Sequence, residues 1–258
     1  MPVRILVVED DEVSREILEL LLQAEGYEVE SVDSGDAALA HLQTMHPLPG
    51  VVLTDMQMPV TTGDALARRV RDLCGAETLV FGMSASELEN GAGQEFDGFL
   101  LKPFGMEALS KAIAGGRSAT GEEPSGAVES VLNGVVYEKL AGSMPRSRLE
   151  QLYALCLTDA ENRIAAMRKA ASEGDDDAYR KGAHAIRGGC GMVGAIELQS
   201  LATSMEERGL RDDHIASLDE FMLACERLRR ILVAHKIKHN QANGLSGETR
   251  NEGSNEEV

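Results

Sequence analysis

Ile5-Leu6-Val7-Val8-Glu9-Asp10-Asp11 sets the first constraint on the fold. Four aliphatic residues in a row read as a short, fully buried strand, and three acids end it abruptly. A helix-period stretch follows at 13–25, closed by Gly26 as a C-cap closes a helix. The same unit recurs along the first half of the chain. Apolar runs at 4–8, 28–32, 51–54, 78–83 and 99–101 alternate with helical periodicity near 13–25, 35–45, 63–73, 85–92 and 105–114. Five alternating units predict an α/β doubly wound, five-stranded parallel sheet covered by helices on both faces.

In an open parallel sheet, ligands bind outside the carboxyl ends of the strands. The chemically informative residues fall there: Glu9, Asp10 and Asp11 after the first strand, Asp55 after the third, Ser84 after the fourth, Lys102 after the fifth. Carboxylates converging on one crevice repel each other unless a cation intervenes, and hard oxygen ligands suit Mg²⁺. A lysine and a hydroxyl beside them could hold phosphoryl oxygens. Helix capping and solvation account well for Asp11 and Glu12. They account poorly for Asp55, which closes the apolar run Val51-Val52-Leu53-Thr54, and for Lys102 standing before Pro103, a pair open to a cis bond.

The second half has only helical period. Leu149, Leu152, Cys156, Ala160, Ile164 and Met167 step by three and four, as do Leu198, Leu201, Ala202 and Met205, and again Leu218, Phe221, Met222, Cys225, Leu228 and Leu232. With a helix around 176–190, opened by Asp175-Asp176-Asp177, these predict an all-α four-helix bundle over 130–239. Residues 119–129, in the unpatterned stretch 115–129, read as a flexible linker, and 240–258 as a disordered acidic tail.

Over residues 1–118 the sequence resembles a response-regulator receiver domain. Ile5 to Asp11, Leu53-Thr54-Asp55-Met56-Gln57-Met58-Pro59, Met83-Ser84-Ala85 and Phe99-Leu100-Leu101-Lys102-Pro103-Phe104 carry the resemblance, in order and in spacing. It implies a flavodoxin-like fold with Asp55 as phospho-acceptor. Glu9, Asp10, Asp55 and the backbone carbonyl of Gln57 would hold Mg²⁺. Lys102 and Ser84 would contact phosphoryl oxygens, with Ser84 and Phe99 at the switch positions. The step from Ser84 to Lys102 is shorter than usual in that family by about one helical turn, and Gly91 and Gly93 interrupt it. A fourth helix that has lost a turn is expected, which puts output through its face in doubt. Haloacid-dehalogenase-like phosphatases also use a strand-end Asp, but their second acid falls here on Gln57, which cannot exchange a proton usefully.

Tyr179-Arg180-Lys181-Gly182-Ala183-His184-Ala185-Ile186-Arg187-Gly188-Gly189-Cys190-Gly191 contains three basic residues and no acid. On a helix, Arg180, Lys181, Arg187, Gly188 and Gly191 share the face of His184. Interior glycines each cost roughly 1 kcal/mol relative to Ala, and close approach by another protein's backbone is one reason to accept that cost. A histidine packed in the core, with the glycines in a loop, is the plainer alternative. The pattern His184-x-x-Arg187-Gly188-Gly189 with Gly194-Ala195 resembles a histidine-containing phosphotransfer (HPt) domain, although Arg187 replaces the commoner lysine. The resemblance implies His184 as a phosphoryl carrier without ATP chemistry. Gly189-x-Gly191-x-x-Gly194 follows a helix rather than a strand, which argues against a dinucleotide site. His235 and His239, four apart, lack a third metal ligand nearby.

Charge supports this division. The formal charge is −18, which opposes a phosphate backbone and excludes nucleic acid as the expected partner. Residues 1–118 carry 8 Lys and Arg against 20 Asp and Glu, whereas 130–239 carry 16 of each. Cys74, Cys156, Cys190 and Cys225 lack C-x-x-C spacing and read as buried, reduced thiols. No apolar run is long enough for a membrane span, and a soluble, cytoplasmic protein is expected.

The expected function is phosphorelay signalling. Asp55 takes a phosphoryl group from a histidine kinase with Mg²⁺, and His184 carries one to or from a receiver aspartate upstream or downstream. The alternative makes the receiver a phosphorylation-controlled switch on an HPt domain that serves other proteins' receivers. Receiver and HPt can also dock within one chain, and the linker allows a high effective concentration.

Overall fold

A computed structural model describes residues 2–58, 63–84, 95–102, 104–115, 131–211 and 213–245. The first half forms the sheet. Strands β1 (Arg4–Val8), β2 (Glu28–Val32), β3 (Val51–Asp55), β4 (Leu79–Ser84) and β5 (Gly98–Leu101) lie in the order β2-β1-β3-β4-β5. Every pairing is parallel. The central strands β1 and β3 are buried almost throughout, as parallel strands covered on both faces must be. The edge strand β2 keeps polar, partly exposed residues.

Helices α1 (Glu12–Ala24), α2 (Gly35–Thr44), α3 (Gly63–Cys74) and α4 (Met106–Ile113) flank the sheet. Asp11 caps α1 by accepting a hydrogen bond from the Ser14 amide. Ser34 caps α2 in the same way through the Ala37 amide. The sheet faces divide its side chains between two cores. Leu6, Val8, Val52 and Val80 pack with Leu39, Leu42, Leu66 and Val70, while Ile5, Val7, Leu53 and Phe81 pack toward α1 and α4.

The second half is helical: α5 (Gly134–Ser143), α6 (Arg146–Glu173), α7 (Asp176–Met192), α8 (Ile196–Arg208) and α9 (His214–Leu245). Gly174, at φ 73°, turns the chain between α6 and α7. Gly182 lets these two helices approach closely, since a Cβ there would lie 2.6 Å from Met167 Cγ. Tyr179, Ala183, Ile186, Leu198, Phe221 and Leu228 fill the bundle core.

Two expectations change. A short fifth helix, α5, precedes the four expected; only Tyr137 and Leu140 on it are buried, too thin a stripe to register as a period. The predicted tail beginning at residue 240 is helical as far as Leu245, because a helix once nucleated propagates through its own backbone hydrogen-bond ladder. The linker 119–129, the helix expected at 85–92, Pro103, the side chain of His239 and residues 246–258 lie outside the described residues.

The two halves are in contact. α1 packs against α5, α6 and α7, and the hydrophobic core runs without a break from the sheet into the bundle.

Candidate functional site

Strand register assembles the acidic site. Val8 pairs with Thr54, so Glu9 and Asp55, one residue on, emerge side by side. Met83 pairs with Asp55 and Ser84 with Leu101, and the Lys102 amide donates to the Ser84 carbonyl at 2.6 Å. Residues from four strands therefore meet at one end of the sheet, where the sequence places them.

Carboxylate oxygens of Glu9, Asp10 and Asp55 all lie within 4.8 Å of one another. Glu9 and Asp55 are buried, and Asp10 is exposed. Lys102 Nζ bridges the first two, donating to Glu9 Oε2 at 2.6 Å and to Asp55 Oδ2 at 3.0 Å. Burial pushes the Glu9 carboxyl up to about 7, against the opposing pull of Lys102 and with a further push from Asp55. Asp10 is raised by burial and by Asp55. Burial also works against the Lys102 ammonium, but Glu9 and Asp55 outweigh it and hold its pKa above the ordinary value. One lysine does not neutralise three clustered carboxyls. A small divalent cation with hard oxygen ligands fits this donor set.

Asp11, the next acid along, is employed differently. Its Oδ1 caps α1 and its Oδ2 accepts from Arg163 Nη2 on α6 at 2.6 Å. Burial works to raise this carboxyl, yet the Ser14 amide and Arg163 together hold it below its ordinary value.

The Gln57 amide donates to Asp55 Oδ1 at 3.1 Å, fixing the carboxylate from the loop that follows β3. Ser84 is buried at the end of β4. Phe99 lies over Gly82: a Cβ on Gly82 would stand 2.6 Å from Phe99 Cε1 and 2.9 Å from Met56 Sδ. The Phe99 ring also meets that of Phe96, with centroids 5.0 Å apart.

His184 stands on α7, partly exposed, and is not a core histidine. Its Nδ1 is 2.8 Å from Glu206 Oε1 on α8, and Arg187 Nη2 lies 3.4 Å from the same nitrogen. Glu206 Oε2 is 3.2 Å from Arg187 Nη1, without hydrogen-bond alignment, and has no other partner. Neutral imidazole carries one N–H, so a carboxylate on Nδ1 holds the proton there and leaves Nε2 with its lone pair.

Of the basic neighbours, Arg180 folds back on its own domain. It donates to Asp176 Oδ2 at 2.6 Å and to the Glu207 carbonyl at 3.0 Å, and it bonds the Glu206 carbonyl as well. Lys181 is exposed. Gly188 has open space where a Cβ would project, and Gly189 faces Ile17 of α1. Gly191 lies one turn further on, partly exposed.

Two residues that matter here escape a linear reading: Glu206 and Arg163. Glu206 comes from a different helix 22 positions along, so the acid-free segment around His184 meets an acid from outside itself. Arg163 reaches an aspartate 152 positions away.

Residues 5–114 match the response regulator receiver domain family, and residues 151–231 match the Hpt domain family. The chain carries a receiver domain followed by an Hpt domain.

The receiver–Hpt chain is 34% identical over 115 residues to the phosphate regulon transcriptional regulatory protein PhoB of Rhizobium meliloti, covering 43% of this chain and 50% of that protein. It is 36% identical over 134 residues to the virulence sensor protein BvgS of Bordetella bronchiseptica, covering 47% of this chain and 11% of BvgS. The chain thus spans half or less of the length of these curated relatives. Among solved structures, chemotaxis protein CheY4 of Vibrio cholerae aligns at 30% identity and a TM-score of 0.40, covering 44% of this chain and 98% of that one. The receiver domain of the sensor histidine kinase PA1611 of Pseudomonas aeruginosa, solved with a magnesium ion in its active-site cleft, aligns at 24% identity and a TM-score of 0.40, covering 44% and 95%. No described helix is long and apolar enough to cross a membrane.

Proposed function

We propose that this protein works in a two-component phosphorelay in which Asp55 accepts a phosphoryl group and His184 carries one. The observation that carries the first role is the Lys102 bridge between Glu9 and Asp55 beside three converging carboxyls. A buried carboxylate held by the Gln57 amide and by Lys102 is positioned as a nucleophile. An Asp55 oxygen attacks the phosphorus of a phosphohistidine; the new P–O bond forms as the P–N bond breaks, and the departing imidazole takes up a proton from solvent. Glu9, Asp10, Asp55 and the Gln57 carbonyl would hold Mg²⁺, which supplies charge stabilisation for the transferring phosphoryl oxygens. Lys102 and the Ser84 hydroxyl would meet those oxygens from the other side. The donor is a histidine kinase.

The second role rests on the Glu206–His184 hydrogen bond. With the proton kept on Nδ1, Nε2 is the nucleophile toward an aspartyl phosphate. The face formed by Arg187, Gly188, Lys181 and Gly191 would admit an acidic receiver site, with basic side chains offering charge and glycine offering room. Arg180 would contribute through its hold on α8.

The packing of α1 on α6 and α7 favours a second role for the receiver, as a switch on its own Hpt domain. Labelling separates the readings. The full chain, Asp55→Ala and His184→Ala are treated with a small phosphodonor or kinase and Mg²⁺. Alkali-labile label reports phospho-Asp, and alkali-stable, acid-labile label reports phospho-His. Relay within one chain gives both kinds of label in the parent and no phospho-His in Asp55→Ala. Phospho-His in Asp55→Ala supplied by a separate receiver supports the switch reading. Steady hydrolysis of small phosphate esters that vanishes in Asp55→Ala would overturn both.

A further inference from the structure

The seam between the domains is apolar in its middle and charged at its ends. Ile17 of α1 lies among Cys156, Asp159 and Ala160 of α6 and Ile186, Gly189 and Cys190 of α7. A Cβ on Gly189 would be 3.5 Å from Ile17 Cδ1, so α1 sits at van der Waals distance from the α7 backbone. At one end, Arg148 Nη1 of α6 donates to Gln23 Oε1 near the C-terminus of α1 at 3.3 Å. At the other, Arg163 of α6 reaches Asp11 at the N-terminus of α1. α1 therefore runs antiparallel to α6, and its acidic-site end is clasped by an arginine of the other domain.

Arg163 is preset for this contact. Its Nε donates to Asp159 Oδ2, one turn back on α6, at 2.6 Å, while its Nη2 donates to Asp11 Oδ2, also at 2.6 Å. Arg163 and Asp11 are both largely shielded, with side chains 22% and 26% exposed, so the charges are only partly screened by water. Asp11 adjoins Asp10 in the chain and its charge is felt by both Glu9 and Asp10. Lys102 contacts the pocket's own carboxylates, and Arg163 of the Hpt domain holds Asp11, the acid next to them in the chain.

We propose that Arg163 is a latch through which domain docking and divalent-cation occupancy of the Glu9–Asp10–Asp55 pocket oppose each other. The proposal rests on the reading of that pocket as the Mg²⁺ site. A divalent ion among these carboxylates repels the guanidinium and competes with it for the field of Asp11. With the clasp lost, the N-terminal end of α1 loses its charged tie to α6, and the docking of the bundle on α1 weakens. The coupling is reciprocal: an undocked chain binds the ion more tightly, and ion binding shifts the chain toward the undocked form. The acceptor site of the receiver thereby controls how its Hpt domain is held, without any phosphoryl transfer between them.

Mg²⁺ is titrated by calorimetry into the full chain, Arg163→Gln and Arg163→Lys at low ionic strength. Separation between a label on α2 and one on α8 is followed in the parent with and without the ion. The expected result is binding roughly fivefold tighter in Arg163→Gln, parent-like binding in Arg163→Lys, and a separation that grows with Mg²⁺ in the parent. Equal affinities in all three chains and a constant separation overturn the latch while leaving the cation site intact. No Mg²⁺ binding in any of them removes the cation reading, and the latch falls with it. The parent's separation needs no substitution, so it decides the matter even if a variant misfolds.

Discussion

Nδ1 of His184 and Oε1 of Glu206 stand 2.8 Å apart across the α7–α8 contact. In a neutral imidazole that pairing keeps the proton on Nδ1 and leaves Nε2 its lone pair, the atom that attacks phosphorus in the proposed relay. Glu206→Ala frees the ring to rotate and exchange tautomers, and transfer from an aspartyl phosphate to His184 is expected to slow by roughly a hundredfold. Glu206→Gln still offers an oxygen to Nδ1–H and should lose less. Single-turnover transfer rates with a phosphorylated receiver measure this, and equal rates in all three chains would falsify the positioning role.

Gly82 has no room for a side chain beneath Phe99. The Gly82→Ala methyl would meet both Phe99 and Met56, and the substitution is expected to cost about 1–3 kcal/mol. Urea denaturation reads the loss. The double variant Gly82→Ala/Phe99→Leu should regain part of it, because the shorter side chain withdraws from the clash. If Gly82→Ala alone unfolds at the parent's urea midpoint, Phe99 does not occupy this position in solution.

Gly182 plays the same part between α6 and α7, where a Cβ would lie 2.6 Å from Met167 Cγ. Cγ is close to the Met167 backbone and cannot swing away as a methyl end could. Gly182→Ala is expected to lower the thermal midpoint of the Hpt domain, at a cost of about 1–3 kcal/mol. Gly188→Ala faces open space and should leave the midpoint unchanged or raise it slightly, since alanine is the better helix former. A scanning-calorimetry pair of these two variants distinguishes packing glycines from those that leave room for a partner.

The acidic site was legible because each of its residues ends a strand, and parallel register alone then brings strand ends together. Asp55 after Val51-Val52-Leu53-Thr54 and Lys102 after Phe99-Leu100-Leu101 needed no knowledge of tertiary contacts. Side-chain pairings between helices are another matter. Arg163 and Glu206 sit on the polar faces of amphipathic helices, where one charge looks like any other, and only the crossing of two helices assigns them partners. Helix α5 hid for a related reason: Val135 on it is 80% exposed, which blurs the apolar stripe. Within the glycine-rich segment Gly182 serves internal packing and Gly189 faces α1 of the same chain, contacts that spacing along one helix does not reveal.

Glu9 gives the proposed cation site a pH signature. Burial raises its carboxyl from 4.5 to about 7, so below that value the metal-free native chain holds a proton that the unfolded chain releases near 4.5. The sign follows: Glu9's contribution to stability is fully present below 4.5 and is lost as pH rises through about 7. A bound divalent cation needs the carboxylate, so Mg²⁺ binding expels the proton. Mg²⁺ affinity should therefore fall by up to about tenfold per pH unit below 7 and level off above it. Thermal midpoints in a chelator should decline between about pH 5 and pH 8, and added Mg²⁺ should reverse that decline. Calorimetry in buffers of different ionisation enthalpy counts the protons released on binding. Glu9→Gln should abolish both the proton release and the pH slope of stability. A parent whose Mg²⁺ affinity is flat across this range would mean that Glu9 is already ionised in the metal-free protein and that Lys102 outweighs its burial.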